Sequence, residues 1–258
     1  MSGIDPRAVV DPKAKLAPGV SVGPYSVIGP DVEIDAGTVI GPHVVVQGPT
    51  RMGKDNRVMP FASLGGAPQD KKYAGEPTLL EIGDRNSIFE FVTLNRGTSQ
   101  DKGTTRIGSD NWLMAYVHVA HDCVLGDNII MANNATLAGH VDIEDWVVLG
   151  GFTKVHQFVR LGAHSFTGMN VDITRDVPPY VMVSGTPVQP HGINSEGLKR
   201  RDFSTEQMRN IKNAYRVLYR SDLRLEDALQ QLQALGETQP EVALMARFLE
   251  KSERSITR

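Results

Sequence analysis

The sequence predicts an all-β solenoid built from hexapeptide units, followed by a small α-helical segment. Two observations carry that expectation: an aliphatic residue at every sixth position, and the fading of this beat after Ile173 in favour of helix signals. The beat starts at Val10 and runs through Leu16, Val22, Ile28, Ile34, Ile40, Val46, Met52 and Val58 to Leu64. It resumes at Ile82, Ile88 and Leu94, then runs again from Ile107 through Leu113, Val119, Leu125, Met131, Leu137, Ile143, Leu149 and Val155 to Leu161. With about one residue in three able to fill such a slot, ten successive hits would arise by chance roughly once in 10⁵ trials. A helix repeats its face every ~3.6 residues and a strand every ~2, so neither gives this spacing; a hexapeptide β-helix does.

Each unit reads as a short strand plus a corner, and three units close one triangular coil of 18 residues. The aliphatic leader points into the prism and stacks on the leader one coil away. At a coil spacing of about 4.8 Å, the leaders make about eight coils and a rod roughly 40 Å long. Each buried Val, Leu or Ile contributes about 1.5–3 kcal/mol, so the prism holds an ample core. The slot after the leader is often Gly, at positions such as Gly23, Gly41, Gly108 and Gly126, where the corner needs permissive backbone angles or close approach. Polar residues such as Asn86, Asn111, Asn128 and Asn134 suit exposed corners.

The beat breaks twice. Residues 65–81 carry Gly, Pro and clustered charge without leaders and read as a loop thrown out of the prism. Residues 95–106 form a second break and shift the phase by one residue. Long loops on a compact solenoid are usually functional or disordered. Farther on, Ser204 and Gln207 form a capping box, and Met208, Ile211, Tyr215 and Leu218 make an apolar stripe on the helix it opens. A second helix is expected over about 225–235, stopping at Gly236, and a third from near Pro240. The expected division is a solenoid over 1–190 and a helical domain over 191–258.

Composition narrows the function classes. The net charge of −3 gives no overall pull toward nucleic acid or a membrane surface. The N-terminal residues lack the basic flank and apolar run of a signal peptide, and no apolar stretch approaches the ~18 residues of a membrane span. The single cysteine, Cys123, falls in a slot that prefers small side chains and reads as core; a lone thiol fits a cytoplasmic protein.

Coil arithmetic sorts the seven histidines. His121 lies 18 residues before Gly139 and 36 before Gln157, so these three stack on one face, with Asp122 and His140 in the neighbouring column. His118 sits just before the corner, and His156 takes a slot usually held by a small residue. Four imidazoles on neighbouring coils of an exposed face point to chemistry, whereas His43 and His164 are expected to face solvent. Zinc sites on solenoids of this kind, as in carbonic-anhydrase-like proteins, use two His separated by four residues, and no such pair occurs here.

The segment His118 to His140 (HVAHDCVLGDNIIMANNATLAGH), with VHQF at 155–158, QDKKYAGEPT at 69–78 and GLKRR at 197–201, resembles the UDP-N-acetylglucosamine O-acyltransferase family that begins lipid A synthesis. The likeness spans essentially the whole chain. It implies a left-handed parallel β-helix, an exception to the usual right-handed crossover. It also implies a homotrimer with active sites between subunits. The implied reaction moves a 3-hydroxyacyl group from acyl carrier protein to the 3-hydroxyl of UDP-N-acetylglucosamine. A sugar hydroxyl attacks a thioester poorly without a base, and imidazole titrates close to working pH. His121 is the expected base, Asp122 its orienting carboxylate and Gly139, by resemblance, the oxyanion contact; no metal or redox cofactor is required. By the same resemblance His118, His140, His156 and Gln157 line the cleft, while Gln69, Asp70 and Lys72 reach sugar or acyl hydroxyls. Asn194, Glu196 and Arg200 are further expected substrate contacts.

Three features refine the expectation. Relatives commonly read HRGT where this chain has Asn95-Arg96-Gly97-Thr98, which puts in doubt any contact the family assigns to that histidine. Between 199 and 220, Lys199, Arg200, Arg201, Arg209, Lys212, Arg216 and Arg220 oppose only Asp202 and Glu206, a local balance of +5 suited to an acidic carrier protein. Met169 falls where, by resemblance, the late coils border the acyl channel, and relatives with Gly there would have a longer one. Its bulk predicts a chain of about ten to twelve carbons rather than fourteen. Two alternatives stay open: another hexapeptide acyltransferase, N-acylating or acetyl-CoA-dependent, and a non-catalytic scaffold.

Overall fold

A computed structural model of the chain describes residues 3–253 and 255–258. Its first three-quarters are a parallel β-helix of three sheets. The first sheet holds nine strands from Val9–Val10 to Asp172–Ile173, the second eight from Lys15–Leu16 to Arg160–Leu161, and the third ten from Ser21–Val22 to Gln189–Ile193. Strands three apart in sequence are hydrogen-bonded neighbours, as the 18-residue coil demands: Val22 pairs with Ile40, and Ile40 with Val58. Across the first loop the step becomes 30 residues (Val58 with Ile88, Leu64 with Leu94), and across the second 25 (Ile88 with Leu113, Leu94 with Val119). Both insertions are therefore extruded without breaking the leader stack. Leu64, Leu94, Val119 and Leu137 are fully buried along one interior column.

The corners answer the question the glycines posed. The left-handed backbone angle falls three residues after the leader, on non-glycine residues: φ is 58° at His43, 59° at Asp122, 65° at His140 and 64° at Phe158. Where a glycine stands two residues before such a corner, as at Gly41 and Gly108, it meets close approach instead. A Cβ on Gly41 would lie 2.8 Å from the Val58 carbonyl oxygen, and one on Gly108 only 2.4 Å from that of Gly126. Left-handed angles cost a non-glycine residue about 1–2 kcal/mol, and the stacked corners return part of this. On the edge between the third and first sheets, Tyr25, His43, Phe61, Phe91 and Tyr116 form a continuous ring stack with centroids 4.8–5.2 Å apart.

Two sequence expectations about corners are corrected. Asn86 and Asn111 are not exposed but fully buried, in an amide ladder that starts at Asn56. The backbone and side-chain N–H groups of Asn86 donate to Asn56 Oδ1 at 2.9 and 3.0 Å, Asn111 N–H donates to Asn86 Oδ1 at 2.9 Å, and Ile129 N–H to Asn111 Oδ1 at 2.7 Å. Asn128 and Asn134 do sit at left-handed corners, half-buried. The second correction is His164, which is half-buried between Trp146 and Tyr180 rather than solvent-facing.

The last coil closes with an antiparallel pair, Val181–Ser184 against Gln189–Ile193. Four helices follow: α1 (Ser195–Lys199), α2 (Thr205–Tyr219), α3 (Leu225–Gly236) and α4 (Pro240–Glu250). The capping box of α2 forms as the sequence indicated, with Gln207 N–H donating to Ser204 Oγ at 3.1 Å and Ser204 N–H to Gln207 Oε1 at 2.8 Å. The short α1 was not foreseen; Asn194 caps it by accepting from Gly197 N–H at 3.1 Å. Leu198, Ile211, Leu218, Leu232, Met245 and Phe248 form the helical core. The chain end returns to the solenoid, where Thr257 N–H donates to the Asp176 carbonyl at 2.8 Å.

Candidate active site

The corner after strand His118–Val119 gathers the site. Its left-handed turn directs Asp122 inward, so the carboxylate is fully buried while the His121 side chain keeps 14% of its surface exposed. The expectation of an exposed histidine face is thus corrected: His121 and His140 are both largely covered by loop and coil. Asp122 accepts from Thr98 N–H at 3.0 and 3.1 Å, from Thr98 Oγ1 at 2.6 Å, and from His121 Nδ1 at 2.9 Å. Burial opposes its ionisation, but the Thr98 hydrogen bonds and then that of His121 outweigh burial and hold the carboxyl below its usual range. A carboxylate can only accept, so Nδ1 of His121 carries the proton and Nε2 of the neutral ring keeps its lone pair.

One coil on, Gly139 lies directly against that ring. A Cβ at 139 would sit 2.5 Å from His121 Cε1 and 2.7 Å from Nε2, so only glycine leaves room for the imidazole. The Gly139 N–H donates to no acceptor among the described residues. His140 follows at a left-handed corner; its ring stacks on Phe158 at 4.4 Å and meets His121 edge-on at 4.9 Å. Its Nδ1 lies 2.6 Å from Asp101 Oδ2. His118, in the adjoining strand, pairs its Nδ1 with Thr93 Oγ1 at 2.7 Å, and burial, then the neighbouring His121, keep its pKa low. His156 and Gln157 lie exposed in the next coil of the same edge, with His156 Nδ1 3.1 Å from the Gln157 carbonyl. Beside the corner is a cavity of about 670 Å³, lined by Asp101, Lys102, His140, Phe158 and Arg160 among others.

The second loop was legible in the sequence, but the contacts its residues make with the site were not. Thr98 holds Asp122, Asp101 holds His140, and Lys102 Nζ donates to the Asp122 carbonyl at 3.1 Å and to Asp142 Oδ1 at 2.7 Å. The signal lay in the register. Leu94 pairs with Val119, so the chain leaves the prism one coil from His121 and in the same column.

The remaining candidates are dispersed over the chain. On the first loop, Gln69 and Lys72 are exposed and Asp70 braces the turn, accepting from Lys72 N–H at 2.9 Å. Asn95 plays a structural part at the root of that loop, where it is buried and donates from Nδ2 to the Ala67 carbonyl at 2.9 Å. Asn194 likewise spends its side chain internally, capping α1 and donating to the His164 carbonyl at 3.0 Å. Glu196 and Arg200 are exposed on and just after α1, with Glu196 paired to Lys199 at 2.8 Å. Lys212, Arg216 and Arg220 line a shallow cavity of about 320 Å³ with His191 and Tyr215, and Arg209 is exposed near Glu206. Arg201 departs from this basic face. It turns inward, its guanidinium 4.9 Å from the Trp146 ring centroid and donating to His164 Nδ1 at 3.2 Å. Met169 is 80% exposed, on the edge between the third and first sheets, whereas His121 occupies the edge between the first and second.

Potential ligand atoms of His121, Asp122 and His140 lie within 4.8 Å of one another. Hydrogen bonds already engage Asp122 and both Nδ1 atoms, so the cluster is explained without a cation. Cys123 is fully buried and its thiol is pushed up to about 12 by burial, which makes it core and not a nucleophile.

A three-sided coil carrying an imidazole–carboxylate pair at a loop-covered corner defines a hexapeptide-repeat transferase. The chain matches the bacterial transferase hexapeptide model over residues 13–48 and 104–139, and the second-domain model of UDP-N-acetylglucosamine O-acyltransferase over 176–257. It is 62% identical to the acyl-[acyl-carrier-protein]–UDP-N-acetylglucosamine O-acyltransferase of Janthinobacterium sp. (strain Marseille), and 55% identical to that of Thiobacillus denitrificans, with 100% of both chains covered in each case. Among solved structures, the Francisella novicida UDP-N-acetylglucosamine acyltransferase superposes with a TM-score of 0.98 at 39% identity, covering 99% of this chain and 94% of that one. The Moraxella catarrhalis UDP-N-acetylglucosamine O-acyltransferase gives 0.97 at 43% identity, covering 99% of each chain. The chain belongs to the UDP-N-acetylglucosamine O-acyltransferase family.

Proposed function

We propose that the protein transfers a (R)-3-hydroxyacyl group from acyl carrier protein to the 3-hydroxyl of UDP-N-acetylglucosamine, the acylation that opens lipid A synthesis. Family membership supports the reaction. The single observation that carries the mechanism is the His121–Asp122 pair packed against Gly139. His121 Nε2 takes the hydroxyl proton as the sugar oxygen forms its bond to the thioester carbon. The carbonyl electrons move to oxygen, and the Gly139 N–H, which donates to no acceptor among the described residues, receives that charge; such a donor is worth about 3–4 kcal/mol. Collapse breaks the carbon–sulfur bond, and the departing thiolate takes the proton from the imidazolium. Asp122, ionised and held by Thr98, keeps Nδ1 protonated and stabilises the cation while it lasts.

The chain works as a homotrimer with its sites between subunits. Within one subunit, Glu196 and Arg200 belong to the helical end and Met169 to another edge of the prism, so a cleft shared with a neighbour is what would bring them to His121. Gln69, Asp70 and Lys72 supply contacts from the first loop, and Asn194 acts by holding α1 in place. The carrier docks on the basic face of α2, and Arg201 is a brace rather than a docking residue. Among the described residues no helix is long and apolar enough to cross a membrane; a cytoplasmic location is part of the proposal. Incubating the protein with UDP-N-acetylglucosamine and a panel of acyl carrier protein thioesters tests the reading. A 3-O-acylated sugar nucleotide is expected from the 3-hydroxyacyl donors, and its absence with every donor would refute the assignment.

A further inference from the structure

The His121 corner contains a second imidazole–carboxylate pair. His140 Nδ1 and Asp101 Oδ2 are 2.6 Å apart, shorter than the 2.9 Å between His121 and Asp122. The two pairs meet through their rings, edge-to-face at 87°, and one face of His140 is covered by Phe158 at 6° to parallel. Stacking fixes the plane of the His140 ring but leaves its two faces equivalent, so stacking alone does not choose which nitrogen bears the proton. Asp101 makes that choice, because a carboxylate accepts and cannot donate. Asp122 does not substitute for it: its Oδ2 is 3.9 Å from His140 Nδ1, beyond hydrogen-bond reach. Asp101 itself is brought there by the second loop, whose neighbouring residues Thr98 and Lys102 are anchored on Asp122.

We propose that Asp101 is a positioning residue, acting through His140. It locks the neutral imidazole in the Nδ1–H form, so that Nε2 is left as a hydrogen-bond acceptor for a hydroxyl of the sugar nucleotide. A neutral imidazole otherwise exists as a mixture of tautomers, and the hydrogen bond at one nitrogen decides the character of the other. His140 keeps 15% of its side chain exposed and is among the residues lining the 670 Å³ cavity beside the corner. The second loop thereby sets both histidines of the corner: Thr98 through Asp122, and Asp101 directly.

The role in turnover rests on the acyl-transfer reading, but the tautomer does not, and the test separates them. Ring-¹⁵N-labelled protein is compared as wild type, Asp101→Ala and Asp101→Asn, well above the ordinary histidine pKa of about 6.5. His140 is assigned by the signals lost in His140→Gln. Wild type should show Nδ1 protonated and Nε2 bare. Asp101→Ala should move His140 toward the Nε2–H form, while Asp101→Asn, whose amide oxygen still accepts, should keep the wild-type pattern. In the same samples, kcat/KM for UDP-N-acetylglucosamine should fall about tenfold in Asp101→Ala and by less than about threefold in Asp101→Asn. KM for the acyl carrier protein donor should not move. An Nδ1–H tautomer retained in Asp101→Ala would overturn the proposal outright. A changed tautomer with unchanged kcat/KM would overturn its functional half. Absence of acylation in wild type would refute the acyl-transfer reading and leave the tautomer result standing.

Discussion

At position 139 any side chain would collide with the proposed base, because a Cβ there comes within 2.5 Å of the His121 ring. Gly139→Ala should therefore lower kcat at least about a hundredfold by displacing the imidazole, with little change in melting temperature, since the corner adds little to the core. Normal turnover in that variant would mean that the ring has room the structure denies it. Asp122→Asn is a different lesion. The amide oxygen can still accept from Nδ1, but it offers no charge to the imidazolium, so kcat should fall by about 10–10²-fold, less than on loss of the imidazole. A loss equal to that of His121→Ala would give Asp122 more than an orienting role. Counting alone put Gly139 one coil from His121 and Asp122 beside it, as the structure has them, whereas the roles proposed for them rest on the family resemblance and on local chemistry. The sequence misjudged their exposure, since counting says nothing of what a loop folds over them.

Among the elements, the strands were the most legible, because a six-residue period is local and survives two insertions. The interior of the corners was not, since a buried Asn and an exposed Asn look alike in a single sequence. The Asn56–Asn86–Asn111 ladder carries its own prediction. Asn86→Leu strands the Asn111 N–H and the Gly108 carbonyl, which now bond to Asn86, and buried groups left unpaired cost about 1–3 kcal/mol each. Chemical denaturation should show a loss in that range; unchanged stability would mean that the ladder is dispensable. The helical tail was read correctly at its capping box and proline, which are local signals, but α1 was too short to show a period. On α2, Lys212 and Arg216 flank the same cavity as Arg220. Charge reversal at Arg216 and Arg220 should raise KM for the carrier-linked donor, most strongly at low salt. An unchanged KM at low salt would move the docking surface elsewhere.

Across the whole molecule, the contact of Trp146, His164, Tyr180, Phe203 and Arg201 ties solenoid to helices. Burial, then the charge of Arg201, lowers the His164 pKa to about 4, and Arg201 donates to its Nδ1, which requires that nitrogen to be bare. With the folded pKa below the unfolded value, the unfolded chain binds the proton first. The contribution is complete above about pH 6.5 and is lost as pH falls toward 4. His164→Phe keeps a ring in the stack but removes the titration, so its melting temperature should fall less steeply than that of wild type across this window. Parallel curves would exclude His164 as the source. Met169, being 80% exposed, does not fill the prism, which leaves it available at a subunit seam. Met169→Gly should shift donor preference from ten or twelve carbons toward fourteen, and an identical length profile would rule it out as the stop. The most direct test of the account is the rate of acyl transfer to UDP-N-acetylglucosamine by His121→Ala, measured beside wild type with sedimentation and melting as controls. A loss of at least about 10²-fold in an intact assembly is expected of a general base; retention of more than about a tenth of the wild-type rate would contradict it.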